Sequence, residues 1–94
     1  MTITWDKNKN ALNKTKHHIS FEAAQLVFED PFQFSHQDRI VGGEERWQTI
    51  GLVSGMALLL VAHTWNDQEG GEHIRIVSAR RADKIERERY ENNA

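Results

Sequence analysis

Cysteine is absent from the 94 residues, which excludes a disulfide framework and a thiolate zinc site, and a reducing cytoplasm suits such a chain. Long apolar runs are absent too. The longest, MALLLVA at 56–62, is far too short to span a bilayer, and MTITWDKNKN lacks the apolar core of a signal peptide. The expectation is a soluble cytoplasmic protein with no membrane partner. There is no Gly-rich phosphate loop, and none of the five histidines stands in HxH or HExxH spacing. No metal site and no cofactor are therefore expected.

What is present describes one ordinary globular domain, residues 1–94, with 38% apolar and 28% charged residues and a tail that should fray from about residue 91. The net charge of −2 hides a pattern. Residues 1–17 carry about +3, residues 18–72 about −7, and residues 73–94 about +2. If the fold joins the basic ends, an anion-binding face can sit on an acidic protein. The plainer reading is that surface charge is merely uneven.

Periodicity predicts an α+β domain. TITW alternates and reads as a first strand. Asp6 is placed to cap a polar helix over KNKNALNKTK, and Ser20 to cap a second helix with Phe21, Ala24, Val27 and Phe28 on one face, stopped at Asp30-Pro31. From residue 32 the period falls to two. FQFSH and RIV form one irregular strand, a GGE turn leads to ERWQTIGLV, and the pair Ser54-Gly55 connects to MALLLVAHTW. NDQEGGE reads as a loop before HIRIVSAR. The 56–62 segment, apolar on both faces, should be a central strand. Asp83 and Glu86 have the form of a capping box for a C-terminal helix. The sheet is expected to be an antiparallel meander of about four strands, with N-terminal helices and a C-terminal helix.

Three groups of residues can carry chemistry. Arg46, Arg75, Arg80 and Arg81 suit a phosphodiester, since guanidinium keeps its charge and forks onto phosphate oxygens. In a meander, Arg46 and Arg75 flank the central strand and can share a face. Alternatively, Arg46 pairs with Glu44 or Glu45, and Arg80 with Glu86 or Asp83. The histidines can transfer protons, but His63, in phase with Leu59 and Val61, also fits a satisfied half-buried residue. Trp5, Trp47 and Trp65 fit core packing better than base stacking, whereas Tyr90 can offer its hydroxyl to a ligand. Ser20 and Ser78 lack a nucleophile's surroundings.

WDKNKN, KHHISFEAAQLVFEDP, EERWQTIG, LLLVAHT and IRIVSARRADKIERERYE stand in an order that resembles the BrnT family of toxins over roughly residues 3–91. The resemblance implies a RelE-like ribonuclease fold in a type II toxin–antitoxin system, inhibiting translation by cutting RNA. It further implies neutralisation by BrnA, a ribbon-helix-helix antitoxin, in a 2:2 complex, and promoter DNA reached only through that antitoxin. The motif residues that carry over are Lys16, His17, Glu45, Arg46, His63, Thr64, Arg75, Ser78 and Arg80. Two positions depart from the family pattern. His18 replaces the usual glycine, where a positive φ would favour glycine, and Asp83 stands for the frequent threonine.

The reaction implied is metal-independent attack of a 2′-hydroxyl on its adjacent phosphate. Arg46, Arg75 and Arg80 are expected to stabilise charge, His17 or His63 to move protons, and Lys16 to add electrostatic attraction. Arg81, Tyr90, Ser78 and Thr64 are the expected further contacts, with Arg81 meeting the backbone or the antitoxin. Two rivals stand beside this: a non-catalytic module that holds an antitoxin for promoter control, and a metal hydrolase built from the histidines.

Overall fold

Asp6 separates the first two elements of the chain, of which the computed structural model describes residues 1–93. Strand β1 (Thr2–Trp5) ends before it, and its carboxylate accepts the Lys9 N–H at 2.9 Å to cap helix α1 (Lys7–His17). Beyond α1, His18 adopts the left-handed conformation at φ 61°, and its N–H bonds the Lys14 carbonyl at 3.0 Å. The position does need a positive φ, and an imidazole-bearing residue bears the strain that glycine would avoid. The Ser20 hydroxyl accepts the Ala23 N–H at 3.0 Å and caps α2 (Phe21–Ala24).

The second helix is shorter than its periodicity suggests. After Ala24 the chain tightens into a 3₁₀ segment, Gln25–Glu29, closed by a 3.2 Å bond from the Asp30 N–H to the Val27 carbonyl. Pro31 disfavours the α conformation for Asp30, so the last turn winds tighter before it stops. This segment lies directly on the sheet. A Cβ on Gly51 would stand 2.8 Å from the Val27 Cβ and 2.9 Å from its carbonyl oxygen. Only a residue without a side chain allows that approach.

Among the described residues the sheet has six strands and is mixed, which corrects the antiparallel four-stranded expectation. β2 (Phe34–Val41), β3 (Glu44–Val53), β4 (Ala57–Thr64) and β6 (Gly71–Arg81) form the meander. β1 then adds parallel to β6, giving the order β1-β6-β4-β3-β2. β5 (Asn66–Gln68) lies inside the segment expected to be a loop and pairs with the start of β6. The turn between β3 and β4 also differs: Val53 pairs with Ala57, so Ser54, Gly55 and Met56 form a three-residue connection, with Ser54 and Gly55 at φ 55° and 67°.

β4 is central, as its two apolar faces require. Leu59, Val61, Ile74, Ile76 and Ala79 pack against Phe21, Ala24 and Val27 of the helical layer. On the other face a smaller cluster of Ile50, Leu58 and Leu60 is covered by Ala82 and Tyr90, near and within helix α3 (Lys84–Asn93). Ala94 lies outside the described residues; α3 runs to Asn93, past residue 91, the expected start of a frayed tail. α3 buries none of its own residues fully and is fastened by polar groups. The Glu86 carboxylate accepts the Asp83 N–H at 2.9 Å while Asp83 accepts the Glu86 N–H at 2.8 Å, a closed capping box. At the sheet's edge, the buried Asn13 amide donates to the Ala79 carbonyl at 2.8 Å and accepts its N–H at 3.1 Å. Asn13 thus continues the strand pairing where β1 ends.

Candidate functional site

A bulge in β6 decides which arginines meet. His63 pairs with Ile76 and Ala62 with Ser78, leaving Val77 as the extra residue. Arg75 and Arg80 are five positions apart and would point to opposite faces of a regular strand. The bulge puts both on the face that carries α3. Arg81 then points the other way, beside its partner Leu59.

The register lays that face out in rows. Arg46, Thr64 and Arg75 cross β3, β4 and β6 in one row, with Arg39 opposite Arg46 on β2. His36, Gln48, Ala62 and Ser78 form the next row, and Phe34, Ile50, Leu60 and Arg80 the third. The third row runs beneath the apolar cover supplied by α3. The first two rows are where the sheet face is open to a ligand.

In the first row two guanidinium groups converge on one carboxylate oxygen. Arg75 Nη2 donates to Glu44 Oε1 at 2.7 Å, and Arg46 Nε stands 3.9 Å from the same atom. The longer separation is an ion contact and not a hydrogen bond. Arg46 Nε is buried and, among the described residues, has no acceptor. An anion bound between the two arginines would complete it. Arg75 is itself held in place by the Thr64 hydroxyl, which accepts its backbone N–H at 3.2 Å. Thr64 is 1% exposed, so it positions Arg75 and does not touch a ligand.

Arg80 does not join this pair. Its Nη1 and Nη2 each donate to Glu86 at 2.8 Å, and Nη1 also reaches the Arg81 carbonyl at 3.2 Å. The Arg80 hydrogen bonds hold the Glu86 carboxyl below its usual range, and Glu86 in turn raises Arg80. The fork is closed on α3. Tyr90 is engaged likewise: its hydroxyl donates to Asp30 Oδ2 at 2.6 Å. Burial, then the bond to Asp30, pushes the phenol up to about 12.

His63 is wholly buried. Its Nδ1 donates to the Thr64 carbonyl at 2.8 Å, so Nε2 accepts the Thr49 hydroxyl at 2.7 Å, and Ser35 meets Thr49 at 2.7 Å. Desolvation lowers its pKa to about 4, against the Thr64 carbonyl, which favours the charged form. It packs edge-on to Phe28 at 5.0 Å. His63 is thus a satisfied core residue out of substrate reach. The tryptophans also pack: Trp5 lies edge-to-face with Phe21 at 6.2 Å, and Trp47 with Trp65 at 5.2 Å.

Lys16 and His17 lie at the sheet's edge. With Lys9, Leu12, Val77 and Ser78 they line an open groove of about 470 Å³ between α1 and β6. Ser78 belongs to the second row, so this groove continues the open face sideways. Among the described residues, no three or more His, Asp or Glu side chains are grouped to hold a metal ion.

Two residues of the face are not among the expected site residues, although Glu44 or Glu45 is the alternative partner offered for Arg46, and Glu44 is the one found. Glu44, and not its neighbour Glu45, shares the face of Arg46, because side chains two apart on a strand point the same way. His36 lies opposite Gln48 and next to the Arg46 row, with a buried Nδ1 that has no partner among the described residues. Alternation alone could have found Glu44. His36 needed the register across the β2 bulge between Gln37 and Arg39.

The sequence pattern of the family described as ribonuclease toxin, BrnT, of type II toxin–antitoxin system matches residues 5–86. The fold is similar to that in the 1.1 Å crystal structure of the Brucella abortus ribonuclease toxin BrnT, with a TM-score of 0.61 and 22% identity. The likeness covers 89% of this chain and 99% of that one. No curated protein matches the chain.

Proposed function

Because the chain belongs to the BrnT family of ribonuclease toxins of type II toxin–antitoxin systems, we propose that it is a metal-independent endoribonuclease of RelE-like architecture. It inhibits translation by cutting RNA in the cytoplasm and is neutralised by a BrnA-type antitoxin in a 2:2 complex, which alone carries it to promoter DNA. Residues 1–94 act as one domain.

The observation that carries this reading is the convergence of Arg46 and Arg75 on Glu44. A scissile phosphate bound there meets two permanent cations, one with an unused donor, and the charge that develops on its oxygens is stabilised by both. The 2′-hydroxyl gives its proton to the Glu44 carboxylate, its oxygen attacks phosphorus, and the bond to the 5′-oxygen breaks as that oxygen takes a proton from the protonated His36 ring, which is left neutral. The products are a 2′,3′-cyclic phosphate and a 5′-hydroxyl. Glu44 and His36 flank Arg46 along the sheet, which suits a base and an acid on opposite sides of one phosphate. The neighbouring RNA follows Ser78 into the groove of Lys9, Lys16 and His17.

One observation favours the rival binding module: internal carboxylates already stand against the candidate arginines, Glu44 against Arg46 and Arg75 and Glu86 against Arg80. Antitoxin-free protein incubated with RNA in EDTA separates the two readings. Cleavage with cyclic-phosphate ends supports the enzyme; RNA left intact at high protein concentration supports the module. Activity that EDTA abolishes would instead point to a metal hydrolase.

A further inference from the structure

Arg81, sent to the opposite face by the strand alternation that follows the bulge, lines a second groove of about 470 Å³. The groove lies between the end of α1, the start of α2 and the ends of β3, β4 and β6. Its floor includes Ala23, Ala57 and Leu59, its cations are Lys14 and Arg81, and His18 stands at its rim. Among the described residues, no acidic side chain lines it. Neither Lys14 nor Arg81 has a carboxylate within salt-bridge distance among the described residues. The acid whose field reaches Lys14, Glu22, is held by the Asn10 amide at 2.8 Å.

The two sides of the sheet therefore differ in their chemistry. On the Arg46–Arg75 face the arginines meet internal carboxylates, Glu44 at Arg46 and Arg75 and Glu86 at Arg80. In this groove the cations are unmatched and the floor is apolar and small-residued, so it complements a segment with apolar side chains on one face and acids along its flanks. RNA offers no such apolar face, and among the described residues no row of stacking aromatics lines the groove.

We infer that this groove is the anchoring site of the antitoxin, occupied by an acidic amphipathic segment of that protein. The assignment depends on the toxin reading above for the existence of the partner. It separates anchoring from inhibition: the segment grips the chain behind the sheet, on the side away from the phosphate site. Its charge component makes the complex weaken as salt is raised.

The test uses the full chain and the small protein encoded beside it, co-expressed and then separated. Two variants are measured by titration calorimetry: Lys14→Glu, which reverses one rim charge, and Ala57→Trp, which fills the floor. Expected are at least tenfold and at least hundredfold losses of affinity, with the antitoxin-free Lys14→Glu protein still cutting RNA at the wild-type rate but no longer rescued in cells. Hydrogen exchange on the wild-type complex, which needs no variant to fold, should show protection of residues 14–23 and 53–59. Full affinity in the variants, or protection confined to the Arg46–Arg75 face, overturns the site while RNA cleavage keeps the toxin reading intact. Loss of affinity together with intact RNA supports the site and removes the ribonuclease. A neighbour that fails to bind the wild-type chain overturns both the site and the partner reading.

Discussion

The Tyr90 hydroxyl donates to the Asp30 carboxylate at 2.6 Å, joining residues 60 positions apart. Asp30 also accepts the Leu52 N–H at 2.8 Å and the Phe32 N–H at 3.0 Å. One carboxylate thus fastens α3, the end of β3 and the turn after the 3₁₀ segment. Tyr90→Phe removes one donor and keeps the ring over Ile50, Leu58 and Leu60. The expected loss is about 1–3 kcal/mol. Chemical denaturation with far-ultraviolet circular dichroism measures it, and an unchanged midpoint would show that the Tyr90 hydroxyl adds nothing to what holds α3.

Acid should destabilise the fold in a defined window. The folded pKa of His63, about 4, lies below the ordinary 6.5, so between these values the unfolded chain binds more protons. Its contribution is present above about pH 6.5 and lost as the pH falls toward 4, on the order of 3 kcal/mol in all. At Asp30 burial raises the carboxyl, but the bonds from Leu52, Tyr90 and Phe32 outweigh it, and the net shift is downward. Its stabilisation is present above its ordinary value of 3.8 and fades below it. Melting temperatures should fall steadily from pH 7 to 4. His63→Gln should flatten that slope, even though its melting point at pH 7 is lower.

Gly51→Ala should cost about 1–3 kcal/mol, because the new methyl meets the Cβ, carbonyl oxygen and Cα of Val27, none of them the far end of a flexible side chain. Thermal melts test this. A melting point equal to wild type would show that the 3₁₀ segment shifts off β3 without cost.

His18→Gly should raise stability by up to about 1 kcal/mol, since glycine takes the left-handed conformation without the Cβ clash. The gain is read as a higher melting temperature. A lower one would mean that the His18 side chain contributes more than its backbone strain takes away.

The local features were legible in the chain. Asp6, Ser20 and the Asp83–Glu86 box cap their helices because each partner lies within three residues. The apolar run at 57–61 marks the central strand because burial on both faces demands it. The parallel partner of β1 was not legible, since TITW alternates in the same way whichever strand it joins, and β6 lies some 70 residues on. Nor was the extra residue Val77, because a bulge has no mark in the alternation when its neighbours Ile76 and Ser78 suit either face. That single residue brings Arg75 and Arg80 to one face and sends Arg81 to the other. The sequence held both readings of Arg80 open, and the pairing with Glu86 is the one found.

Cleavage of RNA in EDTA by Arg46→Ala and Arg80→Ala, compared with wild type, tests the phosphate site most directly. With Arg46 and Arg75 around the scissile phosphate, Arg46→Ala should lose at least a hundredfold in rate while keeping its melting temperature. Arg80→Ala should keep cutting below its melting temperature and lose stability, because it loosens α3. Full activity in Arg46→Ala with none in folded Arg80→Ala would contradict this placement and move the site to the α3 end of the sheet.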